Sequence, residues 1–187
     1  MKKYFLILFV FSFQYSVHGQ VLTGISARYN DAYVDWDVFA ADSVEDIVGN
    51  LVMTWQNPDD WTQWTYRIGE KAGSIKPKWG RAGGNNVTEW DIRGEGKIIS
   101  ASPLFIGDYR QWRVTNNDFS IELRCQDTPF CRKWVVQDEA HGIFIIYLNN
   151  DYDFRDWIIE DELDPSVSLP MKMTLVFLAM LNGVPKS

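Results

Sequence analysis

Residues that carry catalytic and metal-binding chemistry are scarce in this chain, which has only two histidines and two cysteines in 187 residues. Cys125 and Cys131 supply too few ligands for a zinc site, and no histidine lies close to them in the sequence. The sequence also lacks a nucleophile-elbow motif and a glycine-rich phosphate loop followed by Lys and a helix. We therefore expect no metal, no cofactor and no enzymatic activity.

Hydrophobic runs long enough to span a membrane are also missing, since a span needs roughly 20 apolar residues. The first apolar run, residues 4–13, follows Lys2 and Lys3 and precedes the small-residue pattern Val17-His18-Gly19. This arrangement predicts a secretory signal peptide over residues 1–19 and one mature domain over residues 20–187. The alternative is an uncleaved N-terminal anchor. In either case we expect an extracytoplasmic location, periplasmic or secreted.

Positive charge is in short supply. The chain carries 18 Lys and Arg against 25 Asp and Glu, a formal charge of −7, and loss of Lys2 and Lys3 with the signal peptide would make it −9. An acidic protein is repelled by phosphate-rich polymers and surfaces. This charge weighs against nucleic-acid binding and against strong binding to anionic lipid.

The cysteine pair, Cys125 and Cys131, flanks a five-residue segment with turn-forming character. In an oxidising compartment, two cysteines at the ends of a short connection most simply form a disulfide between neighbouring strands. Free thiols are the alternative.

Tryptophan, by contrast, is abundant and regularly placed. Six tryptophans are spaced 28, 26, 22, 22 and 23 residues apart, and each has a β-branched or aromatic residue two positions later. They are Trp36, Trp64, Trp90, Trp112, Trp134 and Trp157. Period-2 spacing places both side chains on one face of a strand, so each segment is predicted to begin a strand. A turn signal and a second β-rich run follow each of the first five, which predicts a repeated β-hairpin.

The last element differs from the rest, because residues 169–182 are apolar in nearly every direction. Ser168 is a candidate N-cap, Pro170 suits a first helical turn, and Asn182-Gly183 before Pro185 indicates the end. A helix with no polar face must be buried in protein. Twelve strands close into a barrel about 24 Å across, and after the side chains are counted its lumen is close to one helix diameter, about 12 Å. We therefore predict a mainly β fold in which a twelve-stranded antiparallel barrel encloses this helix.

This hairpin series, followed by Trp157-Ile158-Ile159-Glu160-Asp161-Glu162-Leu163 and the apolar helix, resembles the tubby C-terminal-like superfamily. That superfamily includes tubby proteins, phospholipid scramblases and LURP-one-related proteins, and the resemblance implies the same helix-filled barrel. Tubby proteins bind phosphoinositides through basic residues on the barrel exterior, and no matching basic motif occurs here. A β-trefoil is the alternative fold, although it would have no interior helix and a threefold symmetry that these spacings lack.

Three tryptophans surround an acidic turn in residues 55–64. Trp55 and Trp61 fall outside the repeat of six, so the fold explains them least. One interpretation is a carbohydrate or apolar-ligand surface on which Trp55 and Trp61 stack and Asp59 and Asp60 accept hydrogen bonds. The other, which we favour, is a hairpin whose tryptophans pack across the strand pair.

Two further groups of polar residues stand out. The acidic stretch of residues 151–164 invites comparison with a calcium loop or a catalytic carboxylate pair, but its spacing matches neither, so we interpret it as solvated loop charge. His141 lies in a predicted turn, and we interpret it as an exposed turn residue.

Three functional hypotheses follow. The first is a non-catalytic binding or structural module whose partner is an unidentified protein or small ligand. The second is a carbohydrate- or lipid-binding protein that uses exposed tryptophans, and the third is a carboxylate-dependent hydrolase. The sequence favours them in that order.

Overall fold

The computed structural model describes residues 20–29, 32–42, 45–55, 61–78, 89–127 and 130–185, so the predicted signal peptide lies outside the described residues. The described residues form twelve strands and one helix. The strands are Val21–Ala27 (β1), Asp35–Ala41 (β2), Asp46–Met53 (β3), Trp64–Ile68 (β4), Lys71–Pro77 (β5), Trp90–Gly94 (β6), Lys97–Phe105 (β7), Asp108–Thr115 (β8), Ser120–Cys125 (β9), Lys133–Asp138 (β10), Gly142–Asn150 (β11) and Asp153–Leu163 (β12), and the helix is Leu169–Gly183 (α1).

The strands form one closed barrel in which each strand pairs with its neighbours in the sequence. All pairs are antiparallel, and the barrel closes between β1 and β12, where Ile25 lies opposite Trp157. The predicted fold class is confirmed. The β-trefoil alternative is wrong, because all twelve strands close a single barrel around the helix.

The six repeat tryptophans occupy the even-numbered strands, and all six side chains point inward and are buried. Trp64 and Trp90 begin their strands, as predicted. Trp112 and Trp157 are instead the fifth residues of β8 and β12, because the β7–β8 and β11–β12 hairpins extend about four residues further than the others.

A second aromatic residue lies three positions before four of these tryptophans. Each indole N–H donates to that residue's backbone carbonyl over 2.8–3.0 Å. The donor–acceptor pairs are Trp36 with Tyr33, Trp64 with Trp61, Trp112 with Tyr109 and Trp157 with Phe154. Trp61 therefore belongs to the repeat, and the prediction that it falls outside was wrong, since only the Trp and not its aromatic predecessor was read as the repeating residue.

Helix α1 fills the interior of the barrel, and every residue from Leu169 to Leu181 is buried. The Phe177 ring meets Trp90 edge-on with centroids 4.7 Å apart, and it lies 5.9 Å from Trp64. Pro170 lies in the first turn as predicted, and the helix ends one residue later than expected, at Gly183. Ser168 occupies the N-cap position, but its side chain makes no capping hydrogen bond.

The single charge on the helix is neutralised inside the barrel. The Lys172 Nζ lies 2.8 Å from Asp161 Oδ2 and also donates to the backbone carbonyl of Gln20 at 3.1 Å. The same Asp161 oxygen accepts the N–H of Leu22 at 3.0 Å. A buried ion pair survives only when its remaining hydrogen-bonding capacity is used. These contacts tie the helix to both strands at which the barrel closes.

The cysteines form the predicted disulfide. Cys125 ends β9, Cys131 precedes β10, and their Cα atoms lie 5.2 Å apart. The bond closes the β9–β10 connection at its base. A disulfide is compatible with an extracytoplasmic location.

Candidate functional site

The two ends of the barrel differ in the chemistry of their connections. Because all neighbouring strands are antiparallel, every connection from an odd-numbered to an even-numbered strand lies at one end, and every connection from an even-numbered to an odd-numbered strand lies at the other. We call the end with the odd-to-even connections the first end and the other the second end. Residue 20 and the start of α1 lie at the second end, and α1 ends at the first end. The helix therefore runs from one chemically distinct end to the other.

A group of apolar side chains is exposed to solvent at the first end, and we call this group the aromatic rim. Its members are Tyr29, Trp55, Phe105, Ile106, Phe130 and Tyr152. Five of them lie in five of the six connections at this end, and Phe105 is the last residue of β7 beside one of these connections. Of the sixth connection, residues 78–89, the structure describes Lys78 and Glu89.

The rim side chains are strongly exposed although they are apolar. Trp55 exposes 63% of its surface, Tyr152 90%, and Ile106 is fully exposed. The other large apolar side chains that are exposed in the described ranges lie on the outer faces of strands, and Phe39 is the one aromatic among them. Single exposed hydrophobic residues are common, whereas six at one end of a molecule make that end a candidate interaction surface.

Rigid structure supports the rim from below. The indole hydrogen bonds to the carbonyls of Tyr33 and Trp61 fix two connections to the buried core, and those to Tyr109 and Phe154 fix the second residues of β8 and β12. The disulfide closes the loop that carries Phe130, and the Arg132 guanidinium lies 4.7 Å from the centroid of the Phe130 ring. The rim is thus held in place while its side chains remain exposed.

Charges balance among the described residues of the connections at this end. In the described part of these connections there are three cations, Arg28, Lys78 and Arg132, and three anions, Glu89, Asp127 and Asp151. Arg132 pairs with Asp127 at 3.3 Å and with Asp151 at 3.8 Å. Lys78 pairs with Glu89 at 3.1 Å. The described part of these connections therefore carries no net charge.

The opposite connections are acidic, and we call this face the acidic end. Their described residues include seven carboxylates and neither Lys nor Arg. The carboxylates are Asp42, Glu45, Glu70, Glu95, Asp118, Glu139 and Asp164. The net negative charge of the chain is thus concentrated away from the rim.

His141 lies at the acidic end and is not the exposed turn residue that the sequence predicted. Its ring stacks on Phe119 with centroids 3.9 Å apart, and its Nδ1 lies 2.8 Å from Asp138 Oδ1. The hydrogen bond from His141, together with the backbone N–H groups of Ala140 and His141, lowers the pKa of the Asp138 carboxyl. The Asp138 carboxylate also accepts hydrogen bonds from the backbone N–H groups of Ala140 and His141. It therefore holds both the turn and the His141 ring in place.

The acidic stretch of residues 151–164 is mostly strand β12, so its interpretation as loop charge was wrong. Its polar residues lie on both faces of one strand, and several of them form hydrogen bonds or ion pairs with different residues. Asp153 pairs with Arg155 at 2.7 Å, Asp156 accepts from Asn149 at 2.8 Å, and Asp161 is buried against Lys172. Across the described ranges, no group of three or more His, Cys, Asp or Glu side chains is placed to hold a metal ion.

The candidate ligand residues of the sequence separate in space. Trp55 is an exposed member of the rim, whereas Trp61 is partly buried and packs against Trp64 with ring centroids 5.7 Å apart. Asp59 and Asp60 lie outside the described residues. A stacking surface formed jointly by Trp55 and Trp61 stays a prediction.

Sequence reasoning missed the rim, although a signal was present. Aromatic or aliphatic residues occur inside turn sequences such as Phe105-Ile106-Gly107 and Asp151-Tyr152-Asp153, where polar residues are usual. Once the hairpins are numbered, these residues all fall in alternate connections. Only the alternation of the strands then shows that they share one end.

Comparisons with family models, with curated proteins and with solved structures found no match to this chain. None of the helices within the described residues has the length and apolar character needed to cross a membrane.

Proposed function

We propose that the protein is a non-catalytic, extracytoplasmic binding module that engages its partner through the aromatic rim. The observation that carries this proposal is the gathering of Tyr29, Trp55, Phe105, Ile106, Phe130 and Tyr152 at one end of the barrel. The disulfide and the predicted signal peptide support the location. The resemblance to tubby-like barrels supports a binding role rather than catalysis.

The filled interior favours binding at the surface. In an open barrel the lumen would be the natural ligand cavity. Here α1 occupies it, with Phe177 packed among the tryptophans. A ligand must therefore bind at an end or on the outer wall, and the rim is the apolar group at an end.

The test is co-sedimentation of the exported protein with washed envelopes of the cells that produce it. We expect the wild type to sediment and a rim variant carrying Trp55→Ser, Phe105→Ser and Tyr152→Ser to stay in solution. The matched control is Val48→Ser with Ile98→Ser, because Val48 is as exposed as Trp55, at 63%, but lies on the strand wall. Equal sedimentation of the wild type and the rim variant would refute the proposal.

The exposure of Trp55 also favours a second candidate, a small carbohydrate or lipid ligand stacked on that indole alone. Titration with soluble sugars, read by fluorescence of the wild type and of Trp55→Phe, separates this candidate from the first. A saturable change that disappears in the variant would favour it.

A further inference from the structure

We propose that the partner of the aromatic rim is the surface of a lipid bilayer with electrically neutral, zwitterionic headgroups, an inference that rests on the function proposed above. The rim would insert its side chains among the headgroups, with the barrel axis upright and the acidic end facing away. Three properties of the rim point to this partner: its size, its side-chain chemistry and its charge.

The size of the rim calls for an extended partner. A twelve-stranded barrel is about 24 Å across, so hairpins at one end are about 12 Å apart when adjacent and about 24 Å apart when opposite. The β3–β4 connection with Trp55 and the β9–β10 connection with Phe130 are three hairpins apart, and so lie on opposite sides of the barrel. A small ligand cannot contact both, whereas an extended surface can.

The side chains suit the headgroup layer. Trp and Tyr combine an apolar ring with a hydrogen-bonding group and are enriched where the membrane meets water. Phe105 and Ile106 sit at the tip of the long β7–β8 hairpin and Tyr152 at the tip of the long β11–β12 hairpin. The most exposed side chains are therefore carried by the two hairpins that project furthest.

The charge distribution distinguishes neutral from anionic lipid. The described connections that carry the rim have three cations and three anions, and Arg132 and Lys78 already pair with carboxylates. No basic excess is left for lipid phosphate, and the net negative charge of the chain disfavours an anionic surface. A neutral surface imposes no such cost when the rim approaches it.

The experiment measures binding of the exported protein to phosphatidylcholine vesicles by sedimentation and by quenching with brominated lipid. The repeat tryptophans are buried, so among the described residues Trp55 is the one well placed to be quenched. We expect saturable binding that changes less than twofold between 0.05 and 0.5 M salt, since screening affects charge interactions only. Each of Trp55→Ser, Phe105→Ser and Tyr152→Ser should weaken binding about tenfold, by partial loss of the burial of a large apolar side chain.

The control variants separate the possible outcomes. Trp55→Phe should retain binding and show weaker quenching than the wild type, and Val48→Ser with Ile98→Ser should bind as the wild type does. All variants share one N-terminus, so any contribution from residues 1–19 cancels. Circular dichroism confirms that each variant is folded.

Each of several results would overturn the lipid assignment while the binding role of the rim stands. These are rim-dependent binding to envelopes without binding to phosphatidylcholine, rim-dependent binding to an insoluble polysaccharide, and a rim-dependent dimer in light scattering. Binding that requires anionic lipid and is lost in high salt would also overturn it. Equal behaviour of the wild type and the rim variants on envelopes would instead reject the proposed function itself.

Discussion

Tyr66 shows how one side chain constrains three strands. Its ring lies inside the barrel over Gly73 of β5 and Gly94 of β6. A Cβ atom at Gly73 would come within 2.4 Å of the ring, and one at Gly94 within 2.3 Å of its hydroxyl. Glycine is therefore required at both positions. The hydroxyl is buried and has no hydrogen-bond partner among the described residues.

Replacement of Tyr66 by Phe removes this unpaired hydroxyl, so we expect Tyr66→Phe to be as stable as the wild type at pH 7 or up to about 1 kcal/mol more stable. Burial, and then the charge of Glu95, raise the pKa of Tyr66 in the folded protein. The folded state thus keeps its proton above the ordinary tyrosine pKa of about 10, where the unfolded chain loses it, and the wild type loses stability as pH rises. Urea unfolding at pH 7 and pH 11 should show the advantage of Tyr66→Phe growing by about 1 kcal/mol.

The control for that experiment is the exposed Tyr152→Phe, which should match the wild type at both pH values. A Tyr66→Phe variant that is clearly destabilised at pH 7 would mean that the hydroxyl has a partner. A constant difference between pH 7 and pH 11 would contradict the raised pKa.

The ion pair of Lys172 and Asp161 allows a second residue-scale prediction. Lys172→Met leaves the Asp161 carboxylate buried without its cation, and Asp161→Asn leaves the ammonium without its anion, so each should cost about 3–5 kcal/mol. The double variant should lie closer to the wild type than either single variant, because no uncompensated charge remains. Urea unfolding of the four proteins gives the coupling free energy.

A surface pair serves as the reference for that cycle. Arg113 and Glu122 lie 3.4 Å apart with exposed side chains, and Arg113→Met with Glu122→Gln should cost less than about 1 kcal/mol. Additive losses from Lys172→Met and Asp161→Asn would show that the buried pair is not coupled.

At the scale of elements, the strands could be predicted from the sequence because the tryptophan repeat and the turn residues mark each hairpin independently. The helix could be predicted because Leu169 to Leu181 leave no polar face for solvent. The rim was missed because its apolar residues lie in separate turns of the sequence, and they form one group only when alternate connections are placed at the same end of the barrel. The pairing of Lys172 with Asp161 could not be predicted either, because in the sequence Asp161 is one of several charges in an acidic stretch. Only its position in β12 directs its side chain into the barrel.

The helix is the element on which the barrel depends, and removing it tests this directly. A chain truncated before Leu169 would leave the six repeat tryptophans facing an empty lumen, so we expect it to lose cooperative folding. A chain truncated after Pro185 is the control and should unfold as the wild type does. Circular dichroism during heating and in urea reports the transition. An unchanged melting transition without residues 169–187 would disprove the role of the helix as the core.

At the scale of the whole molecule, the two ends of the barrel differ in charge and in apolar character, because alternate connections lie at opposite ends. The rim side chains are apolar and the described charges beside them balance, whereas the described part of the opposite connections carries seven carboxylates. The helix between them has 15 residues and is about 22 Å long, so the two ends are well separated. Such a molecule should have one preferred orientation on a neutral surface.

Single cysteines at the two ends test that orientation. Among the described residues there are no free cysteines, so Asp151→Cys beside the rim and Glu139→Cys at the acidic end can each be labelled without reductant. On phosphatidylcholine vesicles, a polarity-sensitive dye at position 151 should brighten and be quenched by nitroxide-labelled lipid headgroups, whereas the same dye at position 139 should be unaffected. Equal quenching at both positions would show that the barrel lies on its side, and quenching at position 139 alone would show that the acidic end faces the lipid.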